Sequence, residues 1–260
     1  MEVPVKDVPV KSVRKALTML SVLVFENLDE RGFSLSELAE RMEMPANSAH
    51  NLLKSMAACG YVAQISGGRY VAGPVCADIG RLNLFGTAGF SAVVDKQLSD
   101  LTERVQEASV FAALVDGQRI VVRTVDARQA ITINHAMLQS DNDIYVRPTG
   151  RVLVAFASDQ AQQRIRARHG FPGVRWDGIE DEETFAAARA AVRSERVYAL
   201  VPDHKDIAAF ACPVFDSQQN ILGALGCYAP MFRCPNDVQQ AMIEAMLQTA
   251  AELGKALAAQ

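Results

Sequence analysis

LSELAERMEMPANSAHNLLKSMAACGYV, residues Leu35 to Val62, decides how the first part of this chain folds. Ser34 stands just before it, with Glu37 three residues on. That spacing predicts a capping box, in which Ser and Glu satisfy each other's backbone N–H at a helix start. Leu35, Leu38, Ala39 and Met42 then share one face of a short helix. Pro45 fits the first turn of a second helix. This helix should bury Ala49, Leu52, Leu53 and Met56, and present Asn47, Ser48, His50, Asn51 and Lys54 on its other face. Gly60 is the expected stop. The pattern raises the question of what a polar, unpaired helix face is there to meet.

Upstream, Ser12 is placed to cap a helix carrying Val13, Ala16, Leu17, Leu20 and Val24 inward. Downstream, YVAQI, SGG and RYVAG read as a two-stranded hairpin. A helix from Pro74 to about Phe85 follows, with a break at Gly86 and Gly89. The boundaries drawn are 10–73, a linker helix at 74–89, and a second domain at 90–260. In that second domain the expected order is a helix from about Phe90 to Gln106, a hairpin SVFAALV–DG–RIVVRTV, and a strand ITINHAM. PTGRVLVAFAS, Asp159 to His169 and Asp181 to Arg196 read as helices. VYALV, IAAFACPVFD and NILGALGCYA read as strands, the last two joined at DSQQ. Asn236 to Ala258 is a long closing helix with a stripe of Met242, Met246, Ala250, Leu253 and Leu257. The fold class is α+β: a largely antiparallel sheet with helices on it, after an N-terminal helical domain with a wing.

The chain has 260 residues, half of them apolar, 22% charged and a formal net charge of −4. Up to Gly73 eight Lys/Arg balance eight Asp/Glu, so the remaining 18 basic and 22 acidic residues carry the whole −4. Between Met44 and Gly73 stand Lys54 and Arg69 but no acid. A neutral domain with segregated charge can still offer a positive face to phosphate. No apolar run reaches the ~18 residues of a membrane span, and the N-terminus has no signal-like apolar core, so a cytoplasmic protein without membrane contact is expected. The five cysteines are odd in number and have no CxxC pair, which fits reduced, buried thiols. His50, His135, His169 and His204 are dispersed. No nucleophile–base pair or metal-ligand spacing emerges, so neither catalysis, a metal nor a cofactor is expected.

Helix, helix, turn, helix and a two-stranded wing is the order of a winged helix-turn-helix, whose second motif helix reads the DNA major groove. SVRKALTMLSVL, LSELAERMEMPANSAHNLLKSMAACGYV, GGRYVAGPVCADIG and IAAFACPVFDSQQNILGALGCYAP occur in that order. From about Val10 to the C-terminus the chain resembles the IclR family of bacterial transcriptional regulators. The resemblance implies a DNA-binding domain, a linker helix used in dimerisation, and a GAF-like effector-binding domain. It also implies a homodimer or dimer of dimers on double-stranded operator DNA, modulated by a small metabolite, often an organic acid or aromatic. A protein-binding winged helix beside an orphan ligand domain is the alternative; the acid-free stretch favours DNA.

On this reading Ser48, His50 and Asn51 face bases, Lys11, Arg14, Lys54 and Arg69 face phosphates, and Asn47 is a further DNA contact. The family often has Thr at the position of Ser48 and Arg at that of Asn51. Asn suits an adenine edge where Arg suits guanine, so the operator should differ. The resemblance sets Val146, Thr149, Gly150, Ala209, Ala211, Gly226 and Tyr228 around the effector. Arg151 replaces the family's Lys, Ala209 its Cys, and Gly226 and Tyr228 its two serines; the acidic segment is poorly kept at VPDHKD. Arg147 and Arg151 either supply charge to an acid or face water.

Overall fold

The structure is a computed structural model that describes residues 9–27, 31–130, 133, 143–201 and 206–258. It divides into two compact units, residues 1–81 and 82–260.

The first unit begins with α1 (Lys11–Phe25). Its N-cap is Val10 with no side-chain cap, so Ser12 lies inside the helix and does not cap it. The inward face is also not the expected one. Met19, Val22 and Leu23 are buried, whereas Val13, Leu17 and Val24 are exposed and Ala16 and Leu20 lie between. α1 carries two apolar stripes, and periodicity alone does not say which one meets the core. α2 (Leu35–Arg41) starts with the expected capping box: Glu37 N–H donates to Ser34 Oγ at 3.2 Å, and Ser34 N–H to Glu37 Oε2 at 2.6 Å. α3 (Ala46–Ala58) has Pro45 as its N-cap and buries Ala49, Leu53 and Met56, with Leu52 packed alongside. β1 (Val62–Gln64) and β2 (Tyr70–Ala72) pair antiparallel around a 3₁₀ turn at Ser66–Gly68, forming the wing. α4 (Pro74–Phe85) follows.

In the second unit α5 (Ala88–Val105) begins at a Thr87 cap, two residues before the expected start. β3 (Ala108–Val115) and β4 (Gln118–Val125) form a hairpin. Asp116 and Gly117 both have positive φ (47° and 70°), as the type I′ turn of a two-residue hairpin requires. Then come α6 (Pro148–Phe156), α7 (Asp159–His169) and α8 (Glu182–Glu195), with β5 (Tyr198–Leu200), β6 (Ile207–Phe215), β7 (Ile221–Pro230) and α9 (Asn236–Ala258). The five strands lie in the order β4-β3-β7-β6-β5, and all pairs are antiparallel. Most of the expected strand ITINHAM, with His135, lies outside the described residues, as do Asp203 and His204.

Alternation along the strands sends side chains to two cores. Phe111, Phe210, Cys212, Leu225 and Cys227 pack with Val94, Leu98, Met242 and Met246 of α5 and α9. Ala112, Leu114, Ala211 and Ala224 pack with Val152, Ile165, Trp176 and Phe185 on the α6–α8 side. β3 is buried on both faces, which is why its sequence reads as one apolar run without alternation.

Candidate functional site

Two places concentrate polar chemistry that the fold leaves available. The first is α3. Asn47, Ser48, His50, Asn51 and Lys54 are all exposed. At 3.6 residues per turn, Asn47, Asn51 and Lys54 stack in one line, with His50 and Ser48 to either side. Ala49, Leu53 and Met56 anchor the opposite face in the core, so this polar face is held outward by packing. Lys11 and Arg14 are exposed in the first turn of α1.

Arg69, expected at a phosphate, is engaged within the domain. Its Nε donates to the carbonyls of Arg31 and Gly32, both at 3.0 Å. Its Nη2 donates to Gly32 O at 2.8 Å and to Glu37 Oε2 at 2.7 Å. The guanidinium therefore ties the wing to the start of α2, and Glu37, held low first by hydrogen bonds from Ser34, is lowered further by the Arg69 charge. A wing basic residue looks like a phosphate contact in sequence. Nothing there announces that a loop carbonyl and a capping-box acid will take it.

The second place is a cavity of about 360 Å³ in the sheet unit, lined by Val146, Arg147, Pro148, Leu200, Asp206, Ile207, Ala209 and Tyr228. Three of the seven expected effector residues, Val146, Ala209 and Tyr228, reach it. The other four sit behind it. Thr149 is fully buried, and its Oγ1 accepts from Arg119 Nε at 2.7 Å. A Cβ on Gly150 would stand 2.0 Å from Ile144 O, so this glycine lets α6 touch the chain before it. A Cβ on Gly226 would stand 2.7 Å from the Thr149 methyl. Ala211 belongs to the core under α6. Thr149 is thus held by Arg119 and packed on Gly226, while Gly150 lies against the Ile144 carbonyl.

Arg151 neither faces water nor offers charge. It is 5% exposed; Nε donates to Tyr145 O and Nη2 to Arg175 O, both at 2.6 Å, and Nη1 to the Tyr198 hydroxyl. Its guanidinium lies over the Trp176 and Tyr198 rings. Burial pushes the Tyr198 phenol up, with Arg151 opposing. Carbonyl dipoles and ring faces, rather than a carboxylate, hold this cation.

Tyr228 is the polar group that the cavity leaves unserved. It is 1% exposed, and its hydroxyl has no hydrogen-bond partner among the described residues. The ring packs with Val110, Ile133 and Ala209. A buried donor without an acceptor costs stability, and such a group beside a cavity is where a ligand oxygen gains most. Cys212 and Cys227, by contrast, are inert: both are fully buried, and burial raises the Cys212 thiol to about 12 and Cys227 well above its ordinary value.

Comparison with known proteins bears on both places. Residues 12–66 match the IclR helix-turn-helix domain, and residues 85–255 match the bacterial transcriptional regulator IclR C-terminal domain. The chain belongs to the IclR family of bacterial transcriptional regulators. This IclR-family regulator is 21% identical over 226 residues to a Cupriavidus necator protein named "Probable transcriptional regulator SauR", covering 85% of this chain and 88% of that one. Among solved structures it shares its fold with an IclR-family regulator from Rhodococcus sp. (18% identity, TM-score 0.57, 98% of this chain and 96% of that one). It likewise matches the IclR of Thermotoga maritima (16% identity, TM-score 0.55, 95% and 98%). The α3 face therefore belongs to a helix-turn-helix, and the Tyr228 cavity to an effector-binding domain. Among the described residues no helix is long and apolar enough to cross a membrane.

Proposed function

We propose that this IclR-family regulator works in the cytoplasm as a homodimer, through α4, on a pseudo-palindromic operator. Asn47, Ser48, His50 and Asn51 read base edges, while Lys11, Arg14 and Lys54 hold phosphates. The observation that carries this reading is the outward face of α3, five polar side chains in a stretch without an acid. One winged domain covers one half-site, so a two-fold dimer calls for a two-fold operator.

The effector is a small molecule with an apolar or aromatic body and an oxygen acceptor, such as an organic acid. Its body meets Val146, Pro148, Leu200, Ile207 and Ala209, and its oxygen accepts from Tyr228. An effector that favours one state of the dimer by ~1–3 kcal/mol changes operator affinity by ~5–150-fold, and DNA changes effector affinity by the same factor.

The test compares two substitutions on operator and scrambled DNA across a salt series. Asn51→Ala should relax preference at one base position by ~1–3 kcal/mol. Lys54→Ala should weaken all sequences alike and flatten the salt slope by about one ion. Equal losses on every sequence from both variants would overturn this division of roles. A flat salt slope for the native chain would favour a protein-binding winged helix instead.

A further inference from the structure

α9 meets the sheet at the end of β6, and it does so with small side chains. A Cβ on Gly254 would stand 2.3 Å from the Phe215 carbonyl oxygen, so glycine lets the helix touch the strand there. Ala250, Ala251 and Ala258 stand three or four residues to either side of Gly254, on the same helix face. These small residues leave open a cavity of about 480 Å³, walled by Pro213, Phe215 and Leu247. Small-molecule sites run from ~300 to ~1,000 Å³, and are mostly apolar with a few placed polar groups.

Two cations line the same cavity. Arg196 caps the C-terminal end of α8, and its guanidinium lies 5.9 Å from the centre of the Phe215 ring. Lys255 follows Gly254 on α9. Both are exposed, and neither has a carboxylate within ion-pair distance among the described residues. The one acid in the lining, Asp216, is turned to its own loop. It accepts from the backbone N–H of Gln218 at 2.9 Å and of Asn220 at 2.8 Å, and from Asn220 Nδ2 at 3.1 Å. An exposed cation alone is an ordinary solvated group. Two of them over an apolar hollow, with the neighbouring acid already engaged, make a hollow whose charge is positive.

We propose that this cavity is a second ligand site, for an amphipathic anion. The ligand's aliphatic or aromatic body lies against Pro213, Phe215 and Leu247, and its anionic headgroup meets Arg196 and Lys255. Burial of the body supplies most of the affinity, and the two cations select the charged headgroup over a neutral one. The site is separate from the cavity at Tyr228. That cavity uses Ile207 and Ala209 near the start of β6, and this one uses Pro213 and Phe215 at its end. From Ile207 to Phe215 an extended strand covers about 26 Å. The proposal therefore does not rest on the effector reading above.

The experiment is methyl NMR on the full chain, with alanine and leucine methyls labelled, titrated with octanoate and separately with octan-1-ol. Leu247, Ala251 and Ala258 report on this cavity, and Ala209 reports on the cavity at Tyr228. Octanoate should shift the first three methyls along one saturable curve, and octan-1-ol should need a concentration at least about tenfold higher. Lys255→Gln, on an exposed side chain, should raise the octanoate Kd about threefold. Lys255→Gln with Arg196→Asn should raise it about tenfold and leave octan-1-ol unchanged; Asn accepts the positive φ of position 196. Ala251→Trp fills the cavity from its exposed side and should abolish both titrations at Leu247 and Ala258, with Ala209 responding as in the native chain. No shift at the three methyls, or a shift confined to Ala209, overturns the proposal. Equal affinity for octanoate and octan-1-ol, or an octanoate curve that the lysine and arginine variants leave unmoved, overturns it as well. So does a shift of the same methyls on dilution without ligand, which would mean that another copy of the chain covers the cavity.

Discussion

Changing Tyr228 to Phe removes one oxygen atom, and the structure says what that oxygen does. Its hydroxyl is buried and has no acceptor among the described residues. The unfolded chain hydrogen-bonds that hydroxyl to water, whereas in the folded chain no described residue accepts from it. The native state therefore carries a cost of ~1–3 kcal/mol that phenylalanine avoids, while the ring keeps its contacts with Val110, Ile133 and Ala209. For a unit of this size each kcal/mol moves the melting temperature by about 2–4 °C. Tyr228→Phe should thus melt about 2–12 °C higher than the native chain when both are free of effector. With effector present the order changes, because only the native hydroxyl gains an acceptor. A screen of small carboxylic and aromatic compounds by thermal shift should find hits that raise the native melting temperature with concentration. The same compounds should raise Tyr228→Phe less. Differential scanning calorimetry of both chains, with and without the best hit, gives the four numbers needed. A lower melting temperature for effector-free Tyr228→Phe would refute the claim that the hydroxyl is unserved. An identical effector shift in both chains would place the ligand elsewhere.

Arg69→Ala should destabilise the first unit by ~1–3 kcal/mol in urea unfolding, from its lost bonds to Arg31, Gly32 and Glu37, yet leave the salt slope of DNA binding unchanged; a flatter slope would return Arg69 to the phosphates. Hydrogen bonds from Ser34 hold Glu37 low, and bonds from Thr184 hold Asp181 low, each at a helix start. Their folded values lie below their unfolded ones, so the stability they add is present above the ordinary carboxylate range and fades as pH falls through the lowered values. Protection of the amides at the first turns of α2 and α8, relative to their intrinsic exchange rates, should therefore fall under acid, and Glu37→Gln should remove that loss at α2 alone. Among the thiols, a disulfide reagent should modify exposed Cys59 first, while Cys212 and Cys227 react only after unfolding; fast labelling of either in the native chain would contradict their burial. Gly150→Ala places a methyl group on the Ile144 carbonyl and should cost at least ~1–3 kcal/mol, read as a lower urea midpoint.

The sequence by itself determined the elements whose signals are local. The Ser34–Glu37 box, the Asp116–Gly117 turn, Pro148 at the head of α6 and the long apolar stripe of α9 each depend on residues within a few positions of one another. Caps, primed turns and helical periodicity need no knowledge of the rest of the chain. The outward face of α3 was legible for the same reason, since its buried and polar residues alternate within one helix. Tertiary structure decided whatever depends on which surface is covered. α1 has two apolar stripes of similar strength, and only docking of α2, α3 and the wing shows that Met19, Val22 and Leu23 go inward while Leu17 stays out. Arg69 reads as a wing cation until carbonyls from residues 31 and 32 arrive beside it. Thr149, Gly150 and Gly226 read as a ligand cradle, but Thr149 packs on Gly226 and is held by Arg119, and Gly150 lies against the Ile144 carbonyl. Leu200, Asp206 and Ile207 line the cavity from strand ends that lie about fifty residues or more beyond Val146. No spacing rule links positions that far apart, because their meeting is fixed by strand order and not by chain distance.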